Sequence, residues 1–194
     1  MKKLLLGIAA VCLAGFTFAQ DAPLWMRHSV ISPDGTTIAF TYKGDIYTVP
    51  VAGGRAMQIT TNPAYDTAPV WSPDSKRIAF ASDRMGSLDV YIVAKDGGEP
   101  RRLTTHSGSE TPLAFTDAGH VLFSAGIMPS AEAVVFPSNG QFNQVYRVSV
   151  EGGRPTMISS MPMECISINK EGAMLYQDKK GYEDYWRKHH LSLI

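Results

Sequence analysis

Cysteine is scarce in this chain of 194 residues, which contains only Cys12 and Cys165. Cys12 lies in an apolar leader, and once that leader is removed Cys165 has no partner for an internal disulfide. Stability must therefore come from a packed core. Cys165 lies in the strand-like stretch Met163–Ile168, and we interpret it as a small buried strand residue instead of a reactive thiol.

Long apolar runs are absent after the leader. Residues 1–19 follow the plan of an export signal, with Lys2 and Lys3, an uncharged apolar run from Leu4 to Phe18, and small residues before the expected cleavage point. That run is shorter than the about 20 residues that a membrane-spanning helix needs. We expect a signal peptide over residues 1–19 and an exported protein of the periplasm or cell envelope, without a membrane span.

A strong excess of either charge is also missing. From Gln20 onward the chain contains 16 basic and 18 acidic residues, a net charge near −2. A nearly neutral protein has no electrostatic reason to bind nucleic acid or an anionic membrane surface. We therefore expect no nucleic-acid partner.

What the chain does contain is a repeated phrase. The stretch ISPDGTTIAF at residues 31–40 returns as WSPDSKRIAF at residues 71–80. After each copy come Asp-Ile-Tyr or Asp-Val-Tyr, then Gly-Gly, then Ile-Thr-Thr or Leu-Thr-Thr. A third, more divergent copy begins at Thr116, and a fourth opens at Asn169. Repetition at a spacing of tens of residues indicates one supersecondary unit stacked several times.

Each part of the repeat predicts a local structure. Ser-Pro-Asp-Gly is typical of a tight turn, because proline presets the second position and glycine suits the last. Ile38-Ala39-Phe40 alternates as a half-buried strand does, and residues 45–49 are β-branched and aromatic. The Gly-Gly pairs supply positive φ for a further hairpin. One repeat therefore predicts four short antiparallel strands joined by tight turns.

Four-stranded repeats of about 40 to 45 residues are the blades of a β-propeller. We predict an all-β fold in which residues 20–194 form about three and a half blades, with repeats near 26–61, 67–105, 110–160 and 163–194. A β-sandwich is the competing fold, but it does not need the same phrases in the same order. Because a partial ring leaves open blade faces, we expect a larger protein or assembly with further blades.

The repeat phrase of residues 71–80, with the later Asp-Val-Tyr and Gly-Gly, resembles the TolB-type propeller repeat, which is related to WD repeats. The start of the repeats directly after the leader, the long third-repeat insert and the tail Gly181–His190 are similar to the amino-terminal propeller of exported tricorn-like serine proteases, of the tail-specific peptidase family. The resemblance implies a segment that guides or filters peptide substrates. It also implies that the partners are peptide or protein substrates, or downstream domains of the same protein.

Two alternatives remain open. One is a TolB-type protein-binding propeller of the cell envelope, and the other is the propeller of a prolyl oligopeptidase relative, which would precede an α/β-hydrolase domain. The chain has no Gly-x-Ser-x-Gly elbow, so we expect this segment to carry no catalytic residue and no cofactor. His189 and His190 do not predict a metal site, because adjacent strand residues point to opposite faces.

Contacts with a substrate or partner are expected on the irregular loops opposite the Ser-Pro-Asp-Gly turns, because function concentrates on variable loops over a rigid scaffold. The candidates are Tyr65, Asp66, Arg84, Met85, Phe136, Tyr182, Tyr185 and Trp186. The alternative is that Arg84 belongs to a solvated turn and that the tail aromatics only pack within the fourth blade. We interpret the recurring Asp34, Asp74 and Asp117 as turn residues.

Overall fold

The computed structural model describes residues 25–126, 143–159, 163–169, 172–178 and 190–193, and within them all regular structure is β-strand. The strands are β1 (Arg27–Ile31), β2 (Thr37–Tyr42), β3 (Asp45–Pro50), β4 (Met57–Gln58), β5 (Asp66–Trp71), β6 (Arg77–Ser82), β7 (Asp89–Ala94), β8 (Arg101–Arg102), β9 (Glu110–Asp117), β10 (His120–Ala125), β11 (Gln144–Ser149), β12 (Thr156–Ser159), β13 (Met163–Ile168), β14 (Met174–Asp178) and β15 (His190–Leu193).

These strands form four antiparallel meanders. Three sheets have four strands each, β1 to β4, β5 to β8 and β9 to β12, and the last consists of β13 to β15. The first strands of neighbouring sheets contact one another, β1 with β5, β5 with β9, and β9 with β13. The sheets are therefore the first to fourth blades of a partial β-propeller, which confirms the predicted fold class.

The Ser-Pro-Asp turns connect the first two strands of a blade and also link neighbouring blades. In the first blade the N–H of Gly35 donates to the Ser32 carbonyl at 2.8 Å, with φ at 73°. Ser75 takes the same place in the second blade with φ at 57°, a conformation that costs a non-glycine residue about 1 to 2 kcal/mol. Its Oγ accepts a hydrogen bond from the Asp34 N–H at 3.1 Å. This serine therefore ties one turn to the next.

The core lies between the blades, because alternate residues of each central strand face opposite neighbours. Between the first and second blades it contains Ala39, Ile46, Ile59, Trp71, Ile78, Phe80, Tyr91 and Val93. Between the second and third it contains Ala79, Val90, Ile92, Leu103, Phe115, Val121, Phe123, Ala125, Tyr146, Val148 and Val150. Between the third and fourth it contains Leu122, Val145, Met163 and Tyr176.

A stacked aromatic pair recurs in the first three blades, between the second and third strands. The ring centroids are 5.7 to 6.0 Å apart and the ring planes differ by 20 to 28° in the pairs Phe40–Tyr47, Phe80–Tyr91 and Phe123–Tyr146. The recurrence shows that the repeated phrase specifies a packing unit as well as a turn. Among the described residues, no helix has the length and apolar character needed to cross a membrane.

We expect Phe123→Ala to lower the free energy of unfolding by about 3 to 5 kcal/mol, because it removes a fully buried ring between two blades and leaves a cavity. Met57→Ala is the control, since Met57 is 45% exposed on the outer strand of the first blade, and its effect should stay within about 0.5 kcal/mol. Urea unfolding measures both. Equal losses for the two variants would contradict the inter-blade core.

Candidate functional site

The two ends of the blades differ in character. The turn end carries the tight turns at residues 32–35 and 72–75, and the loop end carries residues 62–66 and 83–88. Backbone hydrogen bonds close the loop end between blades: the Asp66 N–H donates to the Gly44 carbonyl and the Glu110 N–H to the Leu88 carbonyl, both at 2.7 Å. The predicted contact residues that the structure describes all lie at this end.

Tyr65 and Met85 are the exposed members of that set, with 43% and 63% of their surfaces accessible. The Tyr65 N–H donates to Asp83 Oδ1 at 2.7 Å, so the two loops of the loop end are tied to each other. Both side chains stay available for contact with a partner. Phe136, Tyr182, Tyr185 and Trp186 lie outside the described residues.

Asp66 and Arg84 form a buried ion pair. Arg84 Nη2 donates to both carboxylate oxygens of Asp66 at 3.1 Å, and its Nε donates to Ser82 Oγ at 2.8 Å. The guanidinium carbon lies 4.4 Å from the ring centre of Tyr91 and 5.6 Å from that of Phe80. Because the Asp66 side chain is fully buried and that of Arg84 only 11% exposed, the arginine is held in place on two aromatic rings and is not a solvated turn residue.

The loop end contains further buried polar groups that the sequence analysis did not select, although they recur at the same place in the first two repeats. The first threonine of each Thr-Thr pair joins the last strand of its blade to the third. Thr60 Oγ1 accepts from the Ile46 N–H at 3.0 Å and donates to Asp45 Oδ1 at 3.2 Å, and Thr104 Oγ1 accepts from the Val90 N–H at 2.9 Å. The recurrence of Asp-Ile-Tyr with Ile-Thr-Thr encodes this contact.

The aspartates that open the third strands have different partners in the two blades. Gln58 Nε2 donates to Asp45 Oδ2 at 3.0 Å, whereas Arg102 Nη2 lies 2.8 Å from Asp89 Oδ2 in an ion pair. Burial raises the pKa of the Asp89 carboxyl, and Arg102 opposes that rise. The third-strand aspartate of the second blade therefore faces a cation, whereas that of the first blade is bonded to neutral groups.

Glu110 opens β9 at the boundary between the second and third blades and is 1% exposed. Neither carboxylate oxygen makes a hydrogen bond of acceptable geometry in the described part of the chain. Burial raises the pKa of Glu110 to about 7; the Thr104 hydroxyl and Arg102 oppose the rise, and the Asp89 charge adds to it. A buried carboxyl without a partner is costly when ionised, so near neutral pH Glu110 holds its proton part of the time.

A concave cavity of about 600 Å³ runs along the first strands of all four blades toward the turn end. Apolar side chains make up much of its wall, among them Val30, Val70, Trp71, Phe115 and Ile168. The Trp71 Nε1–H donates to the Val30 carbonyl at 3.2 Å, which fixes the indole against the neighbouring blade. Within the described residues, no three His, Cys, Asp or Glu side chains are arranged to hold a metal ion.

Residues 23–191 match the family described as the tricorn protease N-terminal β-propeller domain. The chain belongs to this family. The match confirms the resemblance that the repeat phrases indicate, and it gives no role to any individual side chain.

Curated relatives of this tricorn N-terminal propeller include two with peptidase names. Tricorn protease homolog 1 of Streptomyces coelicolor is 35% identical over 102 residues, which are 52% of this chain and 9% of that protein. The uncharacterized peptidase YuxL of Bacillus subtilis is 30% identical over 129 residues, 66% of this chain and 20% of YuxL. The Tol-Pal system protein TolB of Bordetella pertussis is 44% identical over 55 residues, 28% of this chain and 13% of TolB. The propeller thus spans a fifth or less of the relatives that it matches.

Solved structures share its fold. A putative TolB from Agrobacterium tumefaciens superposes with a TM-score of 0.68 at 16% identity, over 89% of this chain and 59% of that one. The tricorn protease superposes with a TM-score of 0.58 at 12% identity, over 82% of this chain and 20% of that one. At such identities the likeness concerns the fold alone.

Arg84→Met is expected to destabilise the propeller by about 3 to 5 kcal/mol, because it leaves the fully buried Asp66 carboxylate without its cation. The double variant Asp66→Ala/Arg84→Met should lose less than the single variant, since it leaves no buried charge unpaired. Chemical denaturation of the two variants and the wild type gives the comparison. A double variant less stable than Arg84→Met would show that the pair does not act as a unit.

The stability of the wild type should fall as the pH rises from 4.5 to about 7, the ordinary and the folded pKa of Glu110. In that window the folded state retains a proton that the unfolded state has lost. The titration of Glu110 alone should lower the free energy of unfolding by about 3 kcal/mol, and this loss is complete once the pH exceeds the folded pKa.

Denaturation series across that pH range test this with Glu110→Gln, which cannot titrate and should remove most of the fall. Glu151→Gln, at an exposed glutamate of the same blade, should follow the wild-type curve. Parallel curves for the wild type and Glu110→Gln would show that Glu110 does not retain the proton.

Proposed function

We propose that this propeller is a non-catalytic segment of an exported tricorn-like serine protease, where it guides or filters peptide substrates. The observation that carries the proposal is the apolar cavity along β1, β5, β9 and β13. Its volume lies within the range of about 300 to 1,000 Å³ that is usual for binding pockets, so it suits a few side chains of an unfolded peptide better than a folded domain.

The lining of the cavity supports a filter that admits peptides because they are unfolded and accessible, and not because of their amino-acid sequence. Valine, leucine, isoleucine and aromatic side chains bury apolar surface without directional demands, while Thr116, Asp117, Ser167 and Asn169 add polar groups that can bond to a peptide backbone. A wall of this kind fits many peptides loosely. The cleavage itself is assigned to another part of the parent protein.

The relatives support the same proposal. Two of them carry the names of a tricorn protease homolog and of a peptidase. Export to the periplasm or cell envelope is proposed from the leader-like residues 1–19, and the kinship with the Tol-Pal protein TolB agrees with it.

Ile31→Arg in the full-length parent protein tests the guiding role. Ile31 lines the cavity and is 55% exposed, so the change places charge in the path of a peptide without emptying the core. We expect kcat/KM for a long unfolded polypeptide to fall about tenfold, or about 1.4 kcal/mol, and to fall much less for a short fluorogenic peptide.

Met57→Arg is the matched control, because Met57 is a similarly exposed apolar residue of the same blade that lies outside the cavity. It should leave both rates near those of the wild type. Equal losses on long and short substrates, or equal effects of the two variants, would refute guidance through the cavity.

A second candidate is a protein-binding propeller of the TolB type, acting in the envelope without proteolysis. The 44% identity to TolB over 55 residues favours it. A full-length protein that cleaves neither the long nor the short substrate, yet binds an envelope protein through the cavity, would favour this candidate over the protease.

A further inference from the structure

The second blade shows how a guanidinium group is bound at the loop end. Asp66 pairs across the strands with Ser82 at the start of β5, and Arg84 follows Ser82 by two residues. The arginine lies on the stacked rings of Phe80 and Tyr91 and donates to the Asp66 carboxylate. A buried carboxylate and a stacked aromatic pair together form the binding site of this guanidinium group.

The third blade has a carboxylate and two stacked rings at the equivalent positions. Glu110 pairs with Ala125 at the start of β9, as Asp66 pairs with Ser82. Phe123 pairs with Tyr146 across β10 and β11, and their rings stack at 5.7 Å. Both rings belong to the core that faces the second blade, just as Phe80 and Tyr91 face the first.

Among the described residues, no cation lies on the rings of the third blade as Arg84 does on those of the second. The position two residues after Ala125 is Ile127, and residues 127–142 contain no arginine, lysine or histidine. Arg102 is near enough to lower the pKa of Glu110, but it is paired with Asp89. The Thr104 hydroxyl also lowers that pKa, but across the described ranges neither Glu110 oxygen makes a hydrogen bond of good geometry.

We propose that Glu110, Phe123 and Tyr146 form a binding site for the guanidinium group of an arginine side chain presented by a peptide. An arginine offers both a planar cation for the aromatic rings and donors for the carboxylate, which is the combination that Arg84 supplies one blade earlier. The site lies at the loop end, opposite the turn end toward which the apolar cavity runs, so the inference goes beyond the proposed guiding function and does not depend on it.

The burial and the charge of Glu110 determine how the affinity for arginine should behave. Glu110 is covered in the free protein, so a ligand must move the groups over it aside, and the absolute affinity is expected to be modest. The difference between arginine and its uncharged isostere citrulline is therefore the decisive quantity. Since a guanidinium binds the ionised carboxylate, affinity should rise as the pH increases through about 7.

Titration calorimetry with the purified chain tests the proposal, using the blocked peptide Gly-Arg-Gly and its citrulline counterpart as probes. Above neutral pH the arginine peptide should bind at least about tenfold more tightly than the citrulline peptide, as expected for a charged hydrogen-bonded pair. Glu110→Gln should abolish that difference. Glu151→Gln, at the exposed partner of Arg101, should retain it.

Equal binding of the two peptides to the wild type, absence of binding above neutral pH, or an arginine preference that survives Glu110→Gln would each overturn the proposal. Circular dichroism establishes whether Glu110→Gln is folded. If it is not, the comparison of the two peptides on the wild type, with its pH dependence, still decides the question. No proteolytic activity enters the measurement, so failure here leaves the guiding function untouched.

Discussion

The structure depends on the burial of both faces of each inner sheet between neighbouring sheets. In the second blade, Ile78 and Phe80 face the first blade, while Ala79 and Val90 face the third. A short four-stranded sheet with two apolar faces cannot be stable alone in water, because it has no polar face to present. Each blade therefore requires its neighbours, and the free energy of folding is shared along the array. This requirement explains why the repeat sequence recurs along the chain.

Polar groups at both ends keep those stacked blades in register. At the turn end, Asp34 bonds to Ser75, and Arg101 reaches the Val150 carbonyl and Glu151 of the next blade. At the loop end, buried carboxylates lie where one blade meets the next, and each needs a proton, a hydrogen bond or a cation. The second blade supplies Arg84 as that cation. In the part of the chain that the structure describes, the third keeps the carboxylate and the rings without a cation on them, and the proposed arginine site rests on this difference between the repeats.

The two proposed activities use different consequences of one architecture. Stacking the blades brings their first strands together, and the apolar cavity results from that convergence. The loop end results from the connections between strands, which can vary because the sheets hold the fold without them. A peptide is then guided along the first strands while an arginine is recognised at the opposite end of the blades.

The sequence by itself determined the strands, the turns and their repetition, because turn chemistry and period-2 alternation are local and recur in order. It also placed Asp66 and Arg84 on loops at the same end of the blades, but not that they form a buried pair on Phe80 and Tyr91. Glu110 stood outside the sequence-based candidates because nothing local distinguishes a glutamate that opens a strand at the surface from one enclosed between blades. Only the tertiary structure decided that, since the burial and the pKa of a carboxyl depend on residues that come from the neighbouring blade.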